Sequence, residues 1–170
     1  MIFLALGSNL SSSFGNRFTN INLAISYLEG YEIQIIKKSN FYESHSCPNK
    51  ENPKFINIVI SIKTHLSPMD LMSVLFFIEE KLERKRAKKN DPRTCDIDII
   101  DYNSQIVDFK YKNLNLTLPH EKLVNRNFVL IPLHEILPEW QHPETKDSID
   151  VLINKLSYED KNSILKVNKS

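Results

Sequence analysis

Asp96 and Asp98 stand two residues apart in "TCDIDIIDY" (94–102), a run whose isoleucines otherwise spell a β-strand. Aspartate is a poor strand residue, so a pair at alternate positions needs a reason. Residues two apart in a strand point the same way, with Cα atoms roughly 6.5–7 Å apart. Both carboxylates therefore share one face, while Ile97 and Ile99 anchor the other. Oxygen donors at that spacing suit hard divalent ions, and two-metal phosphoryl sites hold their ions about 3.5–4 Å apart. The competing reading is a surface ion network in which the acids pair with Arg93 and Arg86. Pattern alone weighs the two equally. Two features tip the balance toward metal: like charges on one strand face raise each other's energy, and a basic segment lies beside them. Asp101 has the opposite parity and is expected at the strand end, outside the pair.

That basic segment is "KLERKRAKKNDPR" (81–93), seven basic side chains against two acids, a local charge of +5 in a chain whose net charge is +1. One basic stretch in an otherwise mildly acidic protein suggests a local anion site, not general affinity for nucleic acid or membrane. Arg84, Arg86 and Arg93 are the phosphate candidates, because guanidinium binds bidentately. Lys81, Lys85 and Lys88 fit a solvated helix end that complements the dipole. Glu79, one turn before the arginines, is either an ordinary helix glutamate or an acid facing a nucleotide. His120 lies close to Asn125 and Arg126, and a lone histidine is more often structural than functional. His45, His65, His134 and His142 lack metal-ligand spacing. With three glycines, the chain has neither a Walker loop nor a G-x-G-x-x-G fingerprint. A nucleotide would have to be held by side chains and metal. Cys47 and Cys95 form no C-x-x-C, which argues against a zinc site or disulfide framework and for packing roles in a reducing cytoplasm.

The elements that must position these residues follow from periodicity. Residues 2–8 read as a buried strand. Phe18, Ile21, Ile25 and Leu28 recur at helical spacing, with Gly30 as the stop. A strand over 31–43, bent at Ser39–Asn40, and a loop over 44–54 follow. "FINIVISIK" (55–63) alternates strictly. Its four isoleucines face a core, and Phe55, Asn57, Val59 and Ser61 form a half-polar face able to line a pocket. Ser67 and Pro68 cap a helix running to about residue 84. The strand 95–102 comes next, then a hairpin-like stretch. A short buried helix is expected over 129–137, with Pro132 in its first turn. From Gln141 a polar tail holds one weak helix around 148–156. The order βαββαβ predicts a ferredoxin-like α+β core with a mostly antiparallel sheet. At 170 residues one domain over 1–170 is expected. No signal peptide or transmembrane run is seen.

"ALGSNL" (5–10), "SNFYES" (39–44), "NPKFIN" (52–57), "DPRTCDIDII" (91–100) and "LTLPHEKLVNRNFVLIPLHEILPEW" (116–140) together resemble the 6-hydroxymethyl-7,8-dihydropterin pyrophosphokinase family of folate biosynthesis, in register over about 2–140. The resemblance implies an α/β/α sandwich and an enzyme, a transferase of the β,γ-pyrophosphoryl group of ATP to the pterin hydroxymethyl, releasing AMP. It implies that Asp96 and Asp98 bind two Mg²⁺, and that Arg84 and Arg93 contact phosphates as catalytic residues. Glu79, Arg86, Thr117, His120 and Arg126 would complete the ATP site. Ser44, His45, Cys47, Phe55, Asn57 and Phe128 would occupy pterin-pocket positions. Asn57 would pair with the pterin edge and the two phenylalanines would sandwich the ring. ATP and pterin would be the partners of a cytoplasmic monomer. Four departures stand out: the loop "AKKNDP" (87–92) is shorter and lacks the family's aromatic, His45-Ser46 stands where a Pro-Pro pair is common, Phe76 replaces a glutamine, and Glu121 replaces a tyrosine. Two alternatives remain. One is another two-metal enzyme, such as a nucleotidyltransferase, on the same core. The other is a nucleic-acid-binding module, which would need exposed sheet aromatics ringed by basic residues.

Overall fold

A computed structural model describes residues 1–47, 49–85, 91–111 and 114–168. Strand β1 (Ile2–Ser8) leads to helix α1 (Arg17–Gly30), strands β2 (Gln34–Lys38), β3 (Phe41–Ser44) and β4 (Phe55–Lys63), helix α2 (Pro68–Lys81) and strand β5 (Asp96–Tyr102). A hairpin of β6 (Val107–Tyr111) and β7 (Leu114–Leu118) comes next. Then come a 3-10 turn (Leu123–Asn125), helices α3 (Asn127–Ile136), α4 (Ile149–Lys155) and α5 (Tyr158–Asn162), and strand β8 (Ile164–Val167). The main sheet runs β5-β1-β4-β3-β8, with β2 also on β4. All its pairings are antiparallel. This is the expected ferredoxin-like α+β architecture.

Alternation decides what each face does. Ile2, Leu4 and Leu6 with Ile56, Ile58, Ile60 and Ile62 are buried beneath Ile21, Leu28, Leu71, Leu75 and Ile78 of α1 and α2. Each such side chain contributes about 1.5–3 kcal/mol by leaving water. On the opposite face Phe3, Val59 and Ile100 pack against Val129, Leu130 and Leu133 of α3 and Leu152 of α4. Helices therefore cover both faces. Asn16 caps α1 through bonds from the Phe18 and Thr19 amides (3.0 and 3.1 Å), and Ser67 caps α2.

Several boundaries differ from expectation. The bend at Ser39–Asn40 is a complete break between β2 and β3, because Ser39 Oγ accepts the Val59 amide (3.1 Å) in place of a ladder partner. Gly30 is the last residue of α1, not the stop beyond it. The left-handed stop is Glu32, with φ 59°. The amides of Ile33 and Glu32 return to the carbonyls of Leu28 and Glu29, a Schellman closure. Helix α2 ends at Lys81 in the same way, with Glu83 left-handed at φ 64°. Non-glycine residues take that conformation at a cost of about 1–2 kcal/mol.

Pro132 lies in the second turn of α3, not the first, because the Arg126 carbonyl takes the Val129 and Leu130 amides and starts the helix earlier. The tail holds more than one weak helix. β8 pairs with β3 from Phe41↔Val167 to Ser44↔Ile164 and covers what would be an open edge. Asp101 is outside the carboxylate pair, as expected, but it is not a mere strand end. Register shifts so that Leu4 faces Ile99 while Phe3 faces Asp101. Ile100 is the bulged residue. The bulge turns Asp101 toward Trp140, whose indole N–H it accepts at 2.9 Å. Cys95 is buried packing, as expected; Cys47 is exposed.

Candidate active site

The site is built on one row of the sheet. Gly7 of β1 faces Asp96 of β5 on one side and Asn57 of β4 on the other. Asp96 and Asn57 are thus two strand spacings apart, about 9–10 Å. In the next row Ala5 stands between Asp98 and Val59. Small residues on β1 leave an open floor where the α3 layer stops. A Cβ at position 7 would lie 3.3 Å from Asn57 Oδ1 and 3.4 Å from the Phe55 ring, so glycine keeps the floor clear.

The resulting cleft has a volume of about 610 Å³. Asp96, Asp98, Arg93 and Arg126 line one part of it. Ser44, His45, Cys47, Phe55, Asn57 and Phe128 line another. All six residues assigned by resemblance to the pterin pocket thus line the same cleft as the carboxylate pair. Asn57 is buried, and its amide donates to Ser44 Oγ at 3.0 Å.

Charge is closely paired here. Asp96 binds Arg84 (2.5 Å) through one oxygen and Arg93 (2.7 Å) through the other. Burial alone would raise its pKa, but Arg93 and Arg84 outweigh burial and hold the carboxyl below its usual range. Burial likewise opposes the charge on Arg84, and the carboxylates of Asp96 and Glu79 overcome it, so its pKa is raised. Glu79 is buried behind the cleft. It accepts from Arg84 and from the Ile97 amide (2.8 Å), tying α2 to β5. Asp98 accepts from Arg126 at 2.9 Å. The guanidinium of Arg93 stacks on Phe55 (5.1 Å) and that of Arg126 on Phe128 (5.5 Å). Each cation thus bridges the acidic and aromatic parts of the cleft. Arg86 lies outside the described residues, as do Lys88 and Lys89. Thr117 is on the β6–β7 hairpin, donating to Asp108 (3.4 Å), away from the cleft wall.

His120 Nδ1 accepts the Lys122 amide at 3.1 Å, and Nε2 lies 3.4 Å from Arg126 Nη1 and 3.7 Å from Asp98 Oδ2. Burial, then the neighbouring Arg126, pushes its pKa down, against the pull of Asp98. His120 is therefore expected neutral at pH 7, beside Asp98 and Arg126. Its folded pKa lies below the unfolded value, so the stability tied to its neutral ring is intact above about pH 6.5 and is lost as pH falls through the folded pKa. An NMR titration should place its midpoint below about 6.5; a midpoint above that contradicts this geometry.

The donor set fits divalent ions. Among the described residues no three or more His, Cys, Asp or Glu side chains converge. A metal at Asp96 and Asp98 would therefore complete its shell with water and ligand oxygens, as Mg²⁺ does. Arg93 Nε is buried with no acceptor among the described residues, a donor that an anionic oxygen beside the pair can satisfy. Sequence reasoning did not single out Gly7, Lys122 or Asn125, which also line the cleft. The last two sit within the polar run "HEKLVNRN" (120–127), which was the available signal.

Residues 3–138 match the family model described as 7,8-dihydro-6-hydroxymethylpterin-pyrophosphokinase. The chain is 34% identical over 144 residues to the 2-amino-4-hydroxy-6-hydroxymethyldihydropteridine pyrophosphokinase of Haemophilus influenzae, covering 85% of this chain and 86% of that protein. It is 32% identical over 149 residues to the Bacillus subtilis protein of the same name, covering 87% and 84%. It is 34% identical over 155 residues to the folic acid synthesis protein fol1 of Schizosaccharomyces pombe. There it covers 91% of this chain but spans only 20% of that longer relative. Among solved structures, wild-type HPPK-DHPS of Plasmodium falciparum superposes with a TM-score of 0.72 at 18% identity, covering 91% of this chain and 44% of that one. That likeness bears on the fold alone.

Proposed function

The chain belongs to the 7,8-dihydro-6-hydroxymethylpterin-pyrophosphokinase family, and on that footing we propose that it transfers the β,γ-pyrophosphoryl group of ATP to the hydroxymethyl of 6-hydroxymethyl-7,8-dihydropterin. The products are AMP and the pterin diphosphate. The observation that carries this is the row Asp96–Gly7–Asn57, which joins a carboxylate pair and an aromatic, amide-lined recess in one cleft.

Pyrophosphoryl transfer asks for position and charge neutralisation more than covalent catalysis. The pterin ring lies between Phe55 and Phe128, its edge against Asn57, with Ser44, His45 and Cys47 closing the recess. Its hydroxymethyl then points along the floor of Gly7 toward Asp96. The hydroxyl oxygen attacks the β-phosphorus of ATP and gives up its proton to water, and the bond from that phosphorus to the oxygen shared with the α-phosphate breaks, releasing AMP. Two Mg²⁺ held by Asp96 and Asp98 would supply charge neutralisation on the triphosphate. Arg84, Arg93 and Arg126 exchange carboxylate partners for phosphate oxygens as the nucleotide arrives. His120, beside Asp98 and Arg126, would touch the nucleotide. Glu79 keeps Arg84 against Asp96. Arg86 and Thr117 enter this reading by resemblance alone.

ATP and the pterin are then the partners of a cytoplasmic, one-domain monomer that needs neither nucleic acid nor membrane. The free thiols of Cys47 and Cys95 support a reducing compartment. Among the described residues no helix is long and apolar enough to cross a membrane. Direct binding tests the proposal. Asn57→Ala should weaken pterin binding by roughly tenfold or more, since a buried amide partner is lost, with little change for the nucleotide. Equal losses for both ligands would remove Asn57 from the pterin recess.

A further inference from the structure

The turn between β1 and α1 grips both ends of the connection from α2 to β5. At one end the Ser13 amide donates to the Glu83 carboxylate at 2.9 Å, and the Ser13 hydroxyl donates to its other oxygen. At the other end Asn9 Oδ1 accepts the Arg93 amide at 2.7 Å, while the amides of Asn9 and Leu10 donate to the Arg93 carbonyl at 3.0 and 3.1 Å. Arg84, the residue after Glu83, and Arg93 itself are the two guanidiniums that meet on Asp96.

Glu83 is an unexpected residue for its position. It occupies the left-handed stop of α2, closed by the Glu83 amide on Glu80 and the Arg84 amide on Glu79. Glycine is the residue that fits such a stop without strain. The carboxylate of Glu83 is bound to Ser13. Glu32, the equivalent stop of α1, has no side-chain hydrogen bond among the described contacts.

We infer that Ser13 and Glu83 form a latch that, together with the Asn9–Arg93 clasp, positions Arg84 and Arg93 over Asp96 for phosphate binding. These are positioning residues: none of Ser13, Glu83 or Asn9 lines the cleft. The latch deepens the proposed activity and rests on it for its role in turnover. Its effect on arginine placement can be read without turnover.

The test is Glu83→Gly, which fits the left-handed stop and keeps the helix closure but deletes the carboxylate. The full chain should keep or raise its Tm, because backbone strain is relieved. Its affinity for inorganic tripolyphosphate, measured by calorimetry, should fall about tenfold, and kcat for AMP formation about ten- to a hundredfold, as expected for a small misplacement of charge. KM for the pterin should not move. Ser13→Ala, which keeps the amide bond to Glu83 and loses only the hydroxyl bond, should lower tripolyphosphate affinity by a smaller factor with Tm little changed, Ser13→Thr should keep most of the affinity, and Ser13→Ala combined with Glu83→Gly should lose no more than Glu83→Gly alone. Wild-type tripolyphosphate affinity in Glu83→Gly would overturn the latch, as would Tm and affinity falling together in both single variants. A wild-type protein that forms no AMP would instead sink the proposed activity, and the tripolyphosphate arm would still decide the latch.

Discussion

Asp98→Ala should lower AMP formation by about a thousandfold or more while shifting Tm by no more than about 2 °C. The side chain is one-third exposed and its partners Arg126 and His120 can turn to water, so the fold loses little. On the proposed reading, catalysis loses one of the two carboxylates that would hold a divalent ion. Asp96→Ala should cost as much activity and something more. Asp96 lies between two largely buried guanidiniums, and deleting it leaves both without their shared partner. Breaking a fully buried pair costs about 3–5 kcal/mol; here partial exposure reduces that to about 2–3 kcal/mol, or a Tm lower by roughly 5–10 °C. Nucleotide-dependent AMP release and thermal unfolding on the two variants check both statements. AMP formation within tenfold of wild type in either variant would remove the carboxylates from the reaction.

Arg93→Ala should reduce kcat by about a hundred- to a thousandfold. Arg93 pairs with Asp96, stacks on Phe55 and holds a buried Nε with no acceptor among the described residues. On the proposed reading it is the cation that joins the phosphate and pterin ends of the cleft. The loss falls short of a complete deletion of charge because Arg84 remains on the other oxygen of Asp96. Arg93→Lys should recover little, since an ammonium cannot span Asp96 and a phosphate in one plane. Single-turnover kinetics at saturating substrates separates the chemical step from binding. A variant altered only in KM for the pterin, with kcat intact, would confine Arg93 to the aromatic part of the site.

Local periodicity made the frame and the heart of the site legible. Strict alternation in 55–63 correctly set four isoleucines into the core and left Phe55 and Asn57 on the cleft face. The same period brought Asp96 and Asp98 together. What it missed depends on contacts distant in sequence or on a broken period. The bulge at Ile100 adds a residue that no alternation rule anticipates, and it carries Asp101 to Trp140. β8 is four residues in a polar tail, and it is a strand only because β3 offers an edge. Gly7 reads as an ordinary small residue until pairing sets it between Asp96 and Asn57. Glu83 reads as one more charge in a charged run, and only its left-handed backbone and its bond to Ser13 distinguish it.

The most direct measurement is a single incubation of the purified chain with ATP, Mg²⁺ and 6-hydroxymethyl-7,8-dihydropterin, with the nucleotide and pterin products resolved together. The expected result is AMP and pterin diphosphate in equal amounts, formed only when all three components are present. Pyrophosphate or ADP as the nucleotide-derived product, or AMP formed without the pterin, would contradict it.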